Sequence, residues 1–97
     1  MYALAIIRYR RPLEEVLVHY EAHHAYLVSL KARGVLVASG PLEPRCGGAL
    51  LLRVPDDAVE AALDAVRDGD PYWKAGVGQY ELLAWDVRTG RDDLDRA

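Results

Sequence analysis

Residues 2–9, Tyr-Ala-Leu-Ala-Ile-Ile-Arg-Tyr, are predicted to form a β-strand with two apolar faces. Short, β-branched and aromatic side chains favour a strand, and Arg10-Arg11-Pro12 ends the run. Because successive side chains of a strand point to opposite faces, Leu4 and Ile6 occupy one face while Ala5 and Ile7 occupy the other. The strand is therefore expected to lie in a sheet that needs a cover on both sides.

The segment after this strand is predicted to be one long helix of about six turns. Pro12 lies in its first turn, Glu14 and Glu15 lie near the positive end of the helix dipole, and Gly34 ends the helix. Its apolar face is predicted to consist of Leu13, Val16, Leu17, Tyr20, His24 and Leu27. Three further strands are predicted at Val35–Ser39, where Gly40-Pro41 breaks the strand, at Ala49–Val54 and at Tyr80–Arg88.

A second helix and a short helical turn lie between the last two strands. Asp57, with Glu60 three residues later, is predicted to form a capping box for the second helix. Asp70 can accept backbone N–H bonds at the start of a one-turn helix, Pro71 fits the first helical position, and Gly76 suits the left-handed stop. The turn is therefore expected to hold the Asp70 carboxylate in a fixed place.

The resulting order, βαββαβ, predicts a single α+β domain over residues 1–97. We expect a ferredoxin-like sandwich, with two helices on one face of an antiparallel four-stranded sheet, and a solvated, frayed tail at residues 89–97. Two helices cover only one face, yet Leu83 and Trp85 alternate with Leu82 and Ala84. A homodimer that packs sheet against sheet would bury the second face. The alternative is a monomer that uses this face as a ligand groove.

Composition and charge narrow the possible partners. A net charge of -3, without a basic cluster, argues against nucleic acid and against an anionic membrane surface as the main partner, which leaves small molecules and proteins. The lone Cys46 lies beside two glycines and is interpreted as a loop thiol, because it cannot form an internal disulfide; a cytoplasmic location is expected. The N-terminal run is too short to span a bilayer and lacks the basic region of a signal peptide.

Three histidines, His19, His23 and His24, lie in the first predicted helix. His19 and His23 are four residues apart and would lie on one side of that helix, which is a spacing that can hold a metal. A catalytic zinc site needs a third ligand and favours the pattern His-Glu-x-x-His, whereas Glu21 is out of register here, so no metal is expected. His19 is interpreted as a surface residue. His24, near the middle of the predicted apolar face, is interpreted as a buried histidine bonded to a backbone carbonyl.

His23 is predicted to lie at the edge of the core face, half-buried, where an imidazole can meet a cleft. Histidine takes and returns protons near neutral pH, and a carboxylate partner fixes its tautomer and stabilises its charged form. Asp70 is the candidate partner. The alternative is that Asp70 serves only as the cap of its turn.

Several motifs, taken together, resemble those of the YciI-like family, also called the YCII-related domain. They are His23 seventeen residues before Gly40-Pro41, with Leu27, Leu30 and Gly34 between, and Asp70-Pro71-Tyr72 followed by Ala75-Gly76-Val77. The resemblance covers nearly the whole chain. It implies a dimeric α+β barrel, an active-site dyad formed by His23 and Asp70, and no metal or organic cofactor.

The resemblance also bears on substrate binding. Many relatives have an arginine three residues before the dyad histidine, where this chain has Tyr20; Arg8 is the candidate substitute as an anion-binding group. Tyr20 and Tyr72 can donate hydrogen bonds to a substrate oxygen, although amphipathic core aromatics are the alternative interpretation. Ser39, Gly40 and Pro41 complete the predicted substrate-binding set, and Ser39 lacks the context of a nucleophile.

Two functions are compatible with these residues. The first is a small cofactor-independent enzyme in which His23, oriented by Asp70, transfers a proton on a small organic substrate, in lyase or isomerase chemistry as the resemblance implies. The second is a noncatalytic dimer that binds a small ligand or serves a regulatory role, in which the two side chains form only a buried polar pair.

Overall fold

The computed structural model describes residues 1–97 and confirms the predicted fold class. Four antiparallel strands form one sheet in the order β2-β3-β1-β4. None of the helices has the length and apolar character needed to cross a membrane. The elements are β1 (Tyr2–Tyr9), α1 (Leu13–Leu17), α2 (Tyr20–Ala32), β2 (Leu36–Pro41), β3 (Gly47–Arg53), α3 (Val59–Gly69), α4 (Pro71–Lys74), β4 (Gly78–Trp85) and α5 (Arg91–Arg96).

One face of the sheet packs against α2 and α3 and forms the main core. Strand β1 lies at the centre and contributes Ala3, Ala5 and Ile7, all of them buried. Their small or branched side chains let the two helices approach the sheet closely. The buried core comprises Ala3, Ala5, Ile7, Leu30, Leu36, Leu50, Leu52, Val54, Leu63 and Val66.

The opposite face, which we call the open face, keeps much of its apolar surface exposed. In the register of the sheet, Leu4 faces Leu83 on one side and Leu51 on the other. Leu83 and Trp85 are each 42% exposed. Strand parity therefore places apolar side chains on both faces of the sheet, as predicted, and the helices α2 and α3 cover only one of them.

The C-terminal segment is not a frayed tail, as the sequence had suggested, because α5 is attached to the edge of the open face. The hydroxyl of Tyr2 donates a hydrogen bond to Asp95 at 2.7 Å. The guanidinium of Arg53 donates to the carbonyl oxygens of Leu94 and Ala97. The Leu94 carbonyl also accepts the Ala97 N–H, so Arg53 adds a second donor there and holds the end of the short helix next to β3.

The predicted long first helix is also wrong, since the chain bends between α1 and α2. His19 has φ -100° and ψ 8°, outside helical geometry, and it is the N-cap residue of α2. Helix α1 packs Val16 against Tyr72 and Val77, while α2 packs on the sheet. The non-helical backbone at His19 therefore separates two helices, of which α1 packs beside α4 and α2 also packs on the sheet.

The bend changes which side of α2 faces the core. His23 and Leu30 are buried, and Tyr26 and Leu27 are partly buried, at the spacing of one helical face. His24 is exposed instead of buried, contrary to the prediction, and its ring stacks on Tyr20 with centroids 5.8 Å apart.

Two smaller corrections concern element ends. No capping box forms at Asp57, because the turn after Pro55 delays the helix and Ala58 becomes the N-cap residue without a side-chain cap bond. Strand β2 continues through Gly40 and Pro41 instead of breaking there. Proline has no N–H to donate, and β2 tolerates it because it is an edge strand.

Candidate active site

Asp70 is held at the junction between α3 and α4. It is the residue after the last turn of α3 and the N-cap of α4, with Pro71 at the first helical position. The backbone N–H of Tyr72 donates to Asp70 Oδ1 at 2.9 Å. Gly76 ends the turn with φ 71°, a left-handed conformation that glycine adopts without strain. The local sequence therefore fixes the direction in which the carboxylate points, as predicted.

The Asp70 carboxylate is completely buried and accepts hydrogen bonds from three donors. His23 Nδ1 lies 2.7 Å from Asp70 Oδ1, which also accepts the Tyr72 N–H. The hydroxyl of Tyr80 donates to the other oxygen, Oδ2. Asp70 is 0% exposed and His23 is 8% exposed. Burial of a carboxylate is costly unless its oxygens are hydrogen-bonded, and here both are.

The second ring nitrogen of His23, Nε2, remains available to a ligand. It makes no hydrogen bond within the chain, whereas every fully buried side-chain nitrogen and oxygen atom has a partner. Nε2 is therefore not fully buried, and the residue lines a cleft. A hydrogen bond from Nδ1–H to Asp70 leaves Nε2 with the lone pair. In this tautomer Nε2 can accept a proton from a molecule in the cleft.

Tyr72 and Tyr80 pack around the pair and keep their hydroxyl protons to high pH. The Tyr72 ring is stacked on the His23 ring, with centroids 3.8 Å apart and an interplanar angle of 4°. Burial, with a further contribution from Tyr9, raises the pKa of Tyr72 to about 12. Burial, followed by the charge of Asp70, raises the pKa of Tyr80. Both phenols therefore act as neutral hydrogen-bonding groups near neutral pH.

The cleft beside His23 has a volume of about 250 Å³ and lies between α2 and the sheet. It contains most of the residues that the sequence indicated as substrate-binding: Tyr20, Ser39, Gly40, Pro41 and Tyr72, along with His23. The other lining residues are Ile7, Tyr9, His24, Leu27, Arg45, Gly48, Ala49 and Leu50. The structure thus brings together segments that are far apart in the chain; the roles of these residues stay predictions.

Arg8 is not part of this cleft. Its side chain lies on the open face of the sheet, because Ile7, its neighbour in β1, points to the opposite face and lines the cleft. Arg8 Nη1 donates to Glu81 Oε1 at 2.8 Å across the β1 and β4 strands. The expectation that Arg8 replaces the arginine seen in many relatives is therefore corrected: within this chain it cannot reach a ligand beside His23.

The sequence patterns do not identify three residues near the candidate site. They predict Tyr80 only as a strand residue, although strand parity places Tyr80 on the helix-covered face with Leu82. Tyr9 and Arg45 line the cleft, with the Tyr9 and Tyr72 rings edge to face at 6.2 Å. No local pattern indicates Arg45, which lies in the loop between β2 and β3, because its position depends on how that loop folds over the cleft.

The remaining histidine is separate from the pair. His19 is partly buried at the start of α2 and lies beside Ala75, Gly76 and Val77, in a different depression. The chain contains no group of three or more histidine, cysteine, aspartate or glutamate side chains placed to hold a metal ion. Cys46 is exposed and lies outside the residues that line the cleft.

Comparisons with known proteins agree with this fold. A family model described as the YCII-related domain matches residues 1–86. Among the curated proteins, none is significantly similar to the chain. The fold is similar to the solved structure of 5-chloro-2-hydroxyhydroquinone dehydrochlorinase from Burkholderia phenoliruptrix AC1100 in complex with 2,5-dihydroxybenzoquinone, with a TM-score of 0.73 and 25% sequence identity. The similarity covers 91% of this chain and 96% of that chain.

Proposed function

The chain belongs to the YCII-related domain family, and from that membership and the site geometry we propose that it is a small enzyme of the lyase or isomerase type. In this proposal the His23–Asp70 dyad transfers a proton on a small organic substrate bound in the cleft, without a cofactor. The dehydrochlorinase with the similar fold is itself a lyase-type enzyme, which supports this class of chemistry.

A single observation carries the proposal. The completely buried Asp70 is hydrogen-bonded to His23 Nδ1, and the other ring nitrogen of His23, Nε2, remains available in a cleft. A residue that served only as a helix cap would not need a histidine on the same carboxylate oxygen. In the proposed reaction Nε2 removes a proton from the substrate, and the Asp70 carboxylate stabilises the imidazolium that forms. The electron pair of the broken bond then forms a double bond, and either a leaving group departs or the proton returns at another atom.

The walls of the cleft suit a small, flat substrate. Tyr72 is fixed by its stacking on His23, and Tyr20 is stacked on His24 with an interplanar angle of 14°. The cleft, at about 250 Å³, is smaller than pockets for drug-sized ligands, which start at roughly 300 Å³. Aromatic side chains favour contact with planar rings.

We also propose that the protein is a homodimer joined through the open face. Leu83, Trp85 and their neighbours expose contiguous apolar side chains that a second copy would cover. Single exposed apolar residues are common on monomers, whereas a patch that spans adjacent strands marks an association surface. A two-fold dimer fits because the same face of both copies would be buried.

The enzymatic proposal can be tested with hydroxyquinol substrates, including 5-chloro-2-hydroxyhydroquinone, in deuterated buffer. We expect chloride release, or deuterium exchange at carbon seen by NMR, that is catalysed by the wild type and lost in His23→Gln. His19→Gln is the matched control, because it makes the same change outside the cleft and should leave the rate unaltered. Equal rates for the wild type and His23→Gln would contradict the proposal and favour a noncatalytic ligand-binding module.

A further inference from the structure

Arg45 is the only lysine or arginine side chain that lines the cleft. It forms no salt bridge within the chain, unlike Arg8, Arg11 and Arg67. No aspartate or glutamate lines the cleft, and the Asp70 carboxylate is hydrogen-bonded to His23. A guanidinium is charged at every ordinary pH. The cleft therefore presents a positive charge that no group of this chain neutralises.

Three tyrosines line the cleft together with Arg45. They are Tyr9, Tyr20 and Tyr72. The neighbouring Tyr9 hydroxyl raises the pKa of Arg45. The guanidinium and the phenol hydroxyls can all donate hydrogen bonds, and the lining contains no carboxylate. Such a set recognises an oxygen atom that carries negative charge.

We propose that Arg45 binds a negatively charged oxygen of the substrate, so that the substrates of this protein are small conjugated organic anions such as carboxylates, phenolates or enolates. This inference rests on the proposed proton transfer at His23, since it assigns the substrate class of the same cleft. A neutral substrate would make no charge-assisted hydrogen bond with Arg45.

An anionic oxygen bound at Arg45 would also affect the proton transfer at His23. When His23 Nε2 removes a proton from carbon, the electron pair left behind delocalises onto a conjugated oxygen. A guanidinium at that oxygen stabilises the negative charge as it develops. Arg45 is therefore assigned a role in substrate binding that Arg8 cannot fill, because Arg8 lies on the other face of the sheet.

The size and charge of the cleft favour a carboxylate, phenolate or enolate over a phosphate group. A single arginine lines the cleft of about 250 Å³, and no second lysine or arginine joins it. Phosphate sites are commonly built with additional cations. A planar carboxylate or phenolate needs only the guanidinium and one or two hydroxyls.

The test compares two probes of nearly equal shape, benzoate and benzamide, which differ in charge. Binding is followed by NMR shifts of the His23 and Tyr72 rings. We expect the wild type to bind benzoate at least about tenfold more tightly than benzamide, since hydrogen bonds to charged groups are roughly twice as strong as neutral ones. Arg45→Gln should abolish the preference, and Arg45→Lys should retain part of it.

Two controls separate the possible failures. Arg10→Gln removes the same charge from an exposed arginine outside the cleft and should leave the preference intact. His23→Gln should lose proton transfer but keep the preference for benzoate, seen at Tyr72, so failure of the catalytic proposal is distinguishable from failure of anion binding. Equal affinity of the wild type for both probes, no saturable shift with either probe, or an equal loss in Arg10→Gln would overturn the assignment of Arg45.

Discussion

Replacing Asp70 by alanine removes an acceptor that three donors share in the interior of the protein. The donors are His23 Nδ1, the backbone N–H of Tyr72 and the Tyr80 hydroxyl. Each buried donor left without a partner costs about 1–3 kcal/mol. His23 can change its tautomer and the Tyr80 hydroxyl can rotate, so we take the lower part of this range. Asp70→Ala is expected to lower the free energy of unfolding by about 3–6 kcal/mol.

Asp70→Asn is the matched variant, because it keeps the shape and most of the hydrogen bonds. The amide oxygen can accept from His23 Nδ1 and from the Tyr72 N–H, while the amide N–H₂ faces the Tyr80 hydroxyl, which can also act as an acceptor. Only the extra strength of bonds to a charged acceptor is lost. The free energy of unfolding should fall by about 1–2 kcal/mol.

Urea unfolding at neutral pH, followed by the fluorescence of the two tryptophans, measures both variants. The expected total stability of a domain of this size is about 5–15 kcal/mol, so Asp70→Ala should shift the midpoint strongly while the slope with denaturant stays unchanged. If Asp70→Ala loses less than about 1 kcal/mol, the carboxylate does not satisfy the three donors as described. Equal losses for alanine and asparagine would refute the assigned hydrogen bonds.

Three further predictions concern the sheet, the tyrosines and the open face. Gly47→Ala should lower the free energy of unfolding by at least about 3 kcal/mol, because the added Cβ would lie 1.8 Å from a carbonyl oxygen of β1. The control is Gly40→Ala, whose Cβ would meet nothing within 4 Å; in urea unfolding it should change the free energy by less than about 0.5 kcal/mol. Because burial raises the pKa of Tyr72 to about 12, ultraviolet titrations of the wild type and of Tyr72→Phe should differ by a step near that pH. The unfolded chain releases this proton at the ordinary tyrosine pKa of about 10, so stability should fall as the pH rises from about 10 to about 12. A difference step near pH 10 would contradict the burial of Tyr72. Leu83→Glu should convert the proposed dimer to a monomer, as measured by sedimentation at micromolar concentration. Leu17→Glu changes an equally exposed leucine on α1 and should leave the dimer intact. A monomeric wild type would refute the proposed dimer.

Part of the candidate site could be predicted because local chemistry governs it. The cap at Asp70, the proline after it and the left-handed Gly76 lie within seven residues, and their preferences agree on one turn. His23 and Asp70 were paired correctly in space, yet His24 was assigned to the core in error. Successive residues of a helix differ by about 100° in direction, so a single bend at His19 exchanges the buried and exposed positions.

The sequence was sufficient to predict an antiparallel sheet with two apolar faces, because side chains alternate along a strand whatever surrounds it. The spatial order of the strands, β2-β3-β1-β4, came from the structure. The same alternation in β1 shows why Arg8 cannot serve the cleft that Ile7 and Tyr9 line. The position of Arg45, and the bond from Tyr80 to Asp70, emerged only in the folded chain. Each depends on packing between segments that are distant in sequence, and no preference of neighbouring residues encodes such a contact.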